Sequence, residues 1–139
     1  MAKRELDPAS QVRQLRTELE RGAPLRGYVL KGEERFFIEQ GLEAIQTAAR
    51  KKNWEIVKHD GGDPDFQLQH LLGDLQAVSM FSEGTCVLIR RAEEPLKGGK
   101  DAPLARALVA YLKRQGQPGC VALGCDQHGR FSRRHVWPH

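Results

Sequence analysis

Residues 28–42 read YVLKGEERFFIEQGL. Tyr28, Val29 and Leu30 form a short apolar run closed by Lys31 and Gly32, the pattern of a buried strand. After two glutamates the period changes. From about Arg35 to Lys52 the apolar positions are Phe37 or Ile38, Leu42, Ile45 and Ala49, one face of a helix. In a parallel α/β fold such a junction is where nucleotide phosphates sit, on backbone N–H groups at a helix N-terminus. A phosphate loop reads G-x-x-x-x-G-K-[ST]. Counted from Gly32, its second glycine falls on Phe37, its lysine on Ile38 and its hydroxyl on Glu39. A bulky ring blocks close approach, no lysine brings charge, and Glu33 and Glu34 repel phosphate. The G-x-G-x-x-G pattern fails as well, at Glu34 and Phe37. The junction has the shape of a nucleotide site without its chemistry.

The same alternation continues on both sides. Upstream, DPASQVRQLRTELERG (7–22) is a helix with Asp7 as cap, Pro8 in its first turn and Gly22 as its stop. Val12, Leu15 and Leu19 share one face. Downstream, WEIVKHDG (54–61) is a second strand, with Trp54 packing at its start. GDPDFQLQHLLGDLQAVSMF (62–81) holds a third helix, with Asp63 expected as cap and Pro64 in the first turn. TCVLIRRAE (85–93) is a third strand, PLKGGKD (95–101) a polar loop, PLARALVAYLKRQG (103–116) a fourth helix and CVALGC (120–125) a fourth strand. Short continuous apolar runs alternating with helices predict an α/β domain whose mostly parallel sheet is covered on both faces. The last residues, DQHGRFSRRHVWPH (126–139), show no period and are expected to be an irregular basic tail.

The chain has 139 residues, enough for one domain with a real core. A net charge of +4 is too mild to establish nucleic-acid binding, although Arg130, Arg133 and Arg134 would allow a weak DNA contact. No stretch approaches the roughly 18 apolar residues of a membrane span, and the first residues lack the apolar core of a secretory signal. Three cysteines, an odd number, argue against a disulfide scaffold and fit a reducing cytoplasm.

Other candidate chemistry is weak. Cys120, Cys125, His128 and His135 have looser spacing than zinc fingers use. Cys120 and Cys125 are also an odd number of strand positions apart, which points them to opposite faces. No metal or cofactor is expected. His59 and Asp60 close the second strand with no Ser or Cys nucleophile in a recognisable elbow, so they read as a strand-end polar pair. His70 reads as a surface residue. The third strand ends in Arg90 and Arg91, where P-loop ATPases carry a magnesium-holding carboxylate; Glu93 and Glu94 lie further on, in a solvated loop.

Between the third helix and third strand lies QAVSMFSEGT (76–85). Met80 and Phe81 are two large apolar residues flanked by Ser79 and Ser82. Local pattern leaves two readings open: the pair folds back into the core, or it is held out for another protein.

Four blocks taken together, YVLKGEERFFIEQGLEAI, WEIVKHDGGD, LLGDLQAVSMFSEGTCVLIRRAEEPLK and YLKRQGQPGCVAL, resemble the N-terminal domain of the bacterial DNA polymerase III delta subunit, a component of the sliding-clamp loader. The resemblance spans about residues 10 to 125 in order. It implies a RecA/AAA+-like three-layer domain with a degenerate phosphate loop. It further implies a part in DNA replication without ATP hydrolysis of its own, as a non-catalytic subunit of a nucleotidyltransferase complex. The implied partners are the sliding clamp (the beta subunit) and the other loader subunits. By the same resemblance Met80 and Phe81, with Val78 adding to them, are the clamp-binding residues. The family continues into a lid-like helical domain and a helical collar domain, to which 126–139 bears no likeness; a shortened or frame-shifted product is one expectation. The rival reading from the residues is a small P-loop-like nucleotide-binding enzyme with a degenerate loop.

Overall fold

A computed structural model of the protein describes residues 7–22, 24–77, 83–114 and 118–126. The elements are α1 (Pro8–Arg21), β1 (Gly27–Gly32), α2 (Arg35–Lys51), β2 (Glu55–Asp60), α3 (Leu68–Gln76), β3 (Thr85–Arg90), a 3-10 turn (Gly99–Asp101), α4 (Pro103–Lys113) and β4 (Gly119–Asp126). Among the described residues the strands form a four-stranded sheet in the order β1-β4-β3-β2. Every pairing in it is parallel, so the expected mostly parallel sheet is wholly parallel here. Strands β1 and β2, consecutive in the chain, lie at opposite edges, and α2 crosses the sheet to join them.

The apolar runs explain the layers. Successive side chains of a strand face opposite ways. Cys86 and Leu88 of β3, with Cys120 and Ala122 of β4, meet Leu15 and Leu19 of α1 and Leu42 and Ile45 of α2. Val87, Ile89, Val121 and Leu123 face the other way and meet Leu71 and Leu75 of α3 and Leu104 and Leu108 of α4. Helices on each face of a parallel sheet make the three-layer RecA-like architecture. The central strands β3 and β4 are buried almost throughout, whereas β2, at an edge, has no fully buried residue. Helix α2 lies close over β4: a Cβ on Gly124 would stand 2.8 Å from Ile38 Cγ2. Cys120 and Cys125 do face opposite layers. That removes them as a metal pair; His128 and His135 lie outside the described residues.

The local signals mark α1 well. Asp7 accepts the Ser10 backbone N–H at 2.7 Å, and Pro8 begins the helix. They mislead at α3, which starts at Leu68 after Gln67, with no side-chain cap. Asp63 and Pro64 form a turn instead. The Asp63 carboxylate accepts the Asp65 N–H at 2.9 Å and its carbonyl accepts the Phe66 N–H. An Asp-Pro pair serves a turn as readily as a helix start. Strand β3 stops at Arg90, because Arg91 turns into the left-handed region at φ 49°. Helix α4 ends at Lys113, where Arg114 is already extended.

Candidate functional site

In a wholly parallel sheet with crossover helices, the two ends of the sheet differ. Helix N-termini gather at the carboxyl ends of the strands and helix C-termini at the amino ends. The carboxyl end is where α/β proteins hold ligands.

Here that end is filled from within. Arg91 donates through Nε and Nη2 to the two oxygens of Asp60, each at 2.6 Å. Arg90 Nε donates to both oxygens of Glu39 at 2.7 Å. Arg35 Nη2 donates to Asp126 Oδ2 at 2.6 Å. Asp126 in turn gives its backbone N–H to Glu93 at 3.1 Å. The Arg91 guanidinium holds the Asp60 carboxyl below the usual carboxylate value, and a backbone N–H from Gly62 adds to this. These guanidiniums are therefore already matched by carboxylates. The cavity among them measures about 40 Å³, far below the roughly 300 Å³ at which small-molecule sites begin. Arg90 and Arg91, where the third strand ends, are structural ion-pair partners.

The amino end is built differently. Helix α3 ends at Gln76 and β3 begins at Thr85. Val78, Met80 and Phe81 lie between, outside the described residues. Both flanks of that gap are firmly held. On the α3 side, Leu71 and Leu75 are buried against the sheet. Asp74 pairs with His59 Nε2 of β2 at 2.5 Å. The Leu75 carbonyl accepts from Arg114 Nη1 at 3.0 Å. Arg114 and Arg26 both lie over the Tyr111 ring, Arg26 at 4.0 Å from its centroid, where ring and cation attract. Arg26 also donates to the Tyr111 carbonyl at 3.1 Å. Burial pushes the Tyr111 hydroxyl up to about 12, so it stays protonated at neutral pH. On the β3 side, the Gly84 carbonyl accepts the Glu55 N–H at 2.9 Å. Trp54 is pressed against Gly84 so closely that a Cβ there would lie 2.8 Å from its Nε1 and 2.9 Å from the Pro118 carbonyl.

Sequence reading isolated Met80 and Phe81 but not the residues that hold the elements on either side. His59 and Asp60, read as one polar pair, part company: His59 serves α3, and Asp60 serves the carboxyl end. Trp54 was expected to pack at the strand start and does so; Arg26 and Arg114 had no local signal. Arg26 meets Tyr111 across 85 residues and Arg114 meets Leu75 across 39, distances at which no periodic pattern speaks.

No protein-family model matches the chain, and no curated protein sequence matches it significantly. Among solved structures it is similar to the Bacillus subtilis DNA clamp loader delta protein (YqeN), with a TM-score of 0.60 and 17% identity. The match covers 83% of this chain and 35% of that one, so the chain spans about a third of that protein's length. At this identity the likeness is one of fold.

Proposed function

We propose that this domain binds the DNA sliding clamp and helps open it, as the delta subunit of a clamp loader within the DNA polymerase III complex. Met80 and Phe81 are the anchor and Val78 an additional contact. The domain works by differential affinity: it shifts the clamp towards an open ring only by as much as it prefers the open form to the closed one. It hydrolyses no ATP itself; nucleotide is bound by other subunits of the loader. The α/β domain, expected as 1–125 and carried by β4 through Asp126, bears this role.

The observation that carries the reading is the fold likeness to a clamp loader delta protein, together with the place of the apolar pair in the chain. Met80 and Phe81 fall between the end of α3 at Gln76 and the start of β3 at Thr85, both of which are held against the rest of the domain. An aromatic ring beside a flexible thioether is well suited to an apolar pocket on a partner, and rigid flanks lower the ordering cost of presenting it. The paired charges at the opposite end support the absence of nucleotide chemistry.

The test is titration calorimetry of the full chain with the sliding clamp of its own organism, beside a fluorescent-nucleotide titration with and without magnesium. Clamp binding without nucleotide binding is the expected result. Micromolar nucleotide affinity without clamp binding would favour the degenerate P-loop enzyme instead.

A further inference from the structure

A second surface lies on the other face of the sheet, away from the α3–β3 junction. Helix α1 leads into the start of β1 and α2 leaves from its end. Both helices therefore run against the strands, parallel to each other, with their carbonyl ends together at the amino end. Over these last turns they enclose a groove of about 550 Å³, within the range of specific binding sites. Its floor is small: Ala44 and Ala48, one turn apart on α2, are half-buried against the core. Its rim carries Arg16 and Arg21 from α1 and Lys51 and Lys52 from the end of α2. All four are exposed, and none makes an ion pair among the described residues. This contrasts with Arg35, Arg90 and Arg91, whose charges are matched. Glu20 and Glu43 also stand on the rim, leaving an excess of two positive charges (four bases less two acids).

We infer that this groove is a docking site for an amphipathic helix of a partner protein, with an acidic first turn, lying antiparallel to α1 and α2. Shape supports a helix. Two helical walls make a trough, and alanines on its floor let a third helix approach to the usual 8–10 Å. From Glu43 to Lys52 the trough is about 13 Å long at 1.5 Å per residue. That accommodates apolar anchors at i, i+3 or i+4, and i+7. Charge sets the direction. The carbonyl ends of α1 and α2 each present about half a negative charge, so a partner helix is favoured with its positive N-terminal end over them. Carboxylates in its first turn then reach Arg21, Lys51 and Lys52. Glu43, further from that end, can accept from a basic residue along such a helix, while Glu43 and Glu20 together oppose a nucleic-acid backbone, which offers only negative charge.

The experiment uses the full chain and two labelled synthetic alanine–leucine helices of roughly four turns. They have the same composition, one with Asp and Glu in its first turn and the other with them in its last. Binding is read by fluorescence anisotropy. The acid-first peptide is expected to bind about tenfold tighter than its counterpart, and Arg21→Glu/Lys51→Glu is expected to weaken it by at least about tenfold. Ala44→Phe, which fills the floor without changing charge, is expected to abolish binding while circular dichroism stays unchanged. Equal binding of the two peptides, no binding of either, or indifference to charge reversal overturns the inference. So does duplex DNA binding lost through the same charge reversal, or self-association that Ala44→Phe removes. The clamp titration does not enter into any of these outcomes.

Discussion

At the carboxyl end of the sheet the arginines face inward to carboxylates; at the amino end they brace backbone and ring. Arg91 with Asp60, Arg90 with Glu39 and Arg35 with Asp126 close the place where this architecture elsewhere admits phosphate. Arg114 instead holds the Leu75 carbonyl at the end of α3, and Arg26 grips Tyr111. One end is stabilised by charge and leaves little room. The other is stabilised by burial and close approach, and brackets an apolar pair. The difference shows how one parallel sheet can be held by charge at one end and by burial and close approach at the other.

Substitutions can break or sharpen this contrast. The largest effect is expected from Leu75→Ala, at the last turn of α3. Truncating this buried side chain costs about 2–5 kcal/mol, read as a shift of the urea midpoint at unchanged slope. A loss below about 0.5 kcal/mol would mean that α3 is not fixed by its burial. Next comes Gly84→Ala, whose new methyl meets the Trp54 ring and the Pro118 carbonyl; about 1–3 kcal/mol is expected. Both costs should be the same at neutral and acid pH, because no charge is involved.

Asp60→Asn, at the carboxyl end, should behave otherwise. Its folded carboxyl lies below the ordinary value of 3.8. Its contribution is therefore complete above the unfolded value and is lost as pH falls through the lowered folded one. The pair is about one-third exposed, so solvent screening limits the expected loss to about 1 kcal/mol at pH 7. That loss should fade to nothing in strong acid. A cost that persists at every pH would point to packing rather than charge and erase the contrast.

Much of the fold was legible because it is local. CVLI and CVAL are continuous apolar runs of the kind a doubly covered strand carries, and the stripe Phe37 or Ile38, Leu42, Ile45, Ala49 marks α2 in advance, Ile38 being the buried one of the first pair. The start of α3 was not legible, since Asp63 and Pro64 suit a turn and a helix cap alike. Nor were the ion pairs of the carboxyl end, whose partners are 31, 51 and 91 residues apart in the chain. Sequence could show that a phosphate loop was missing from the first junction. What fills its place depends on strand order, which no single segment encodes. At the candidate contact, Met80 and Phe81 stood out as an oddity of composition. The braces on either side of them arise only when β2, α3 and α4 come together.

The most direct measurement compares one variant from each end for binding to the sliding clamp. Met80→Ala/Phe81→Ala represents the amino end and Asp60→Asn the carboxyl end; each is titrated by calorimetry against wild type, with circular dichroism to confirm folding. The expected result is that Asp60→Asn binds like wild type, while the double variant, still folded, loses at least about 2 kcal/mol of binding free energy. If the folded double variant binds as tightly as wild type, the apolar pair is not the anchor and the proposed division of labour between the two ends is wrong.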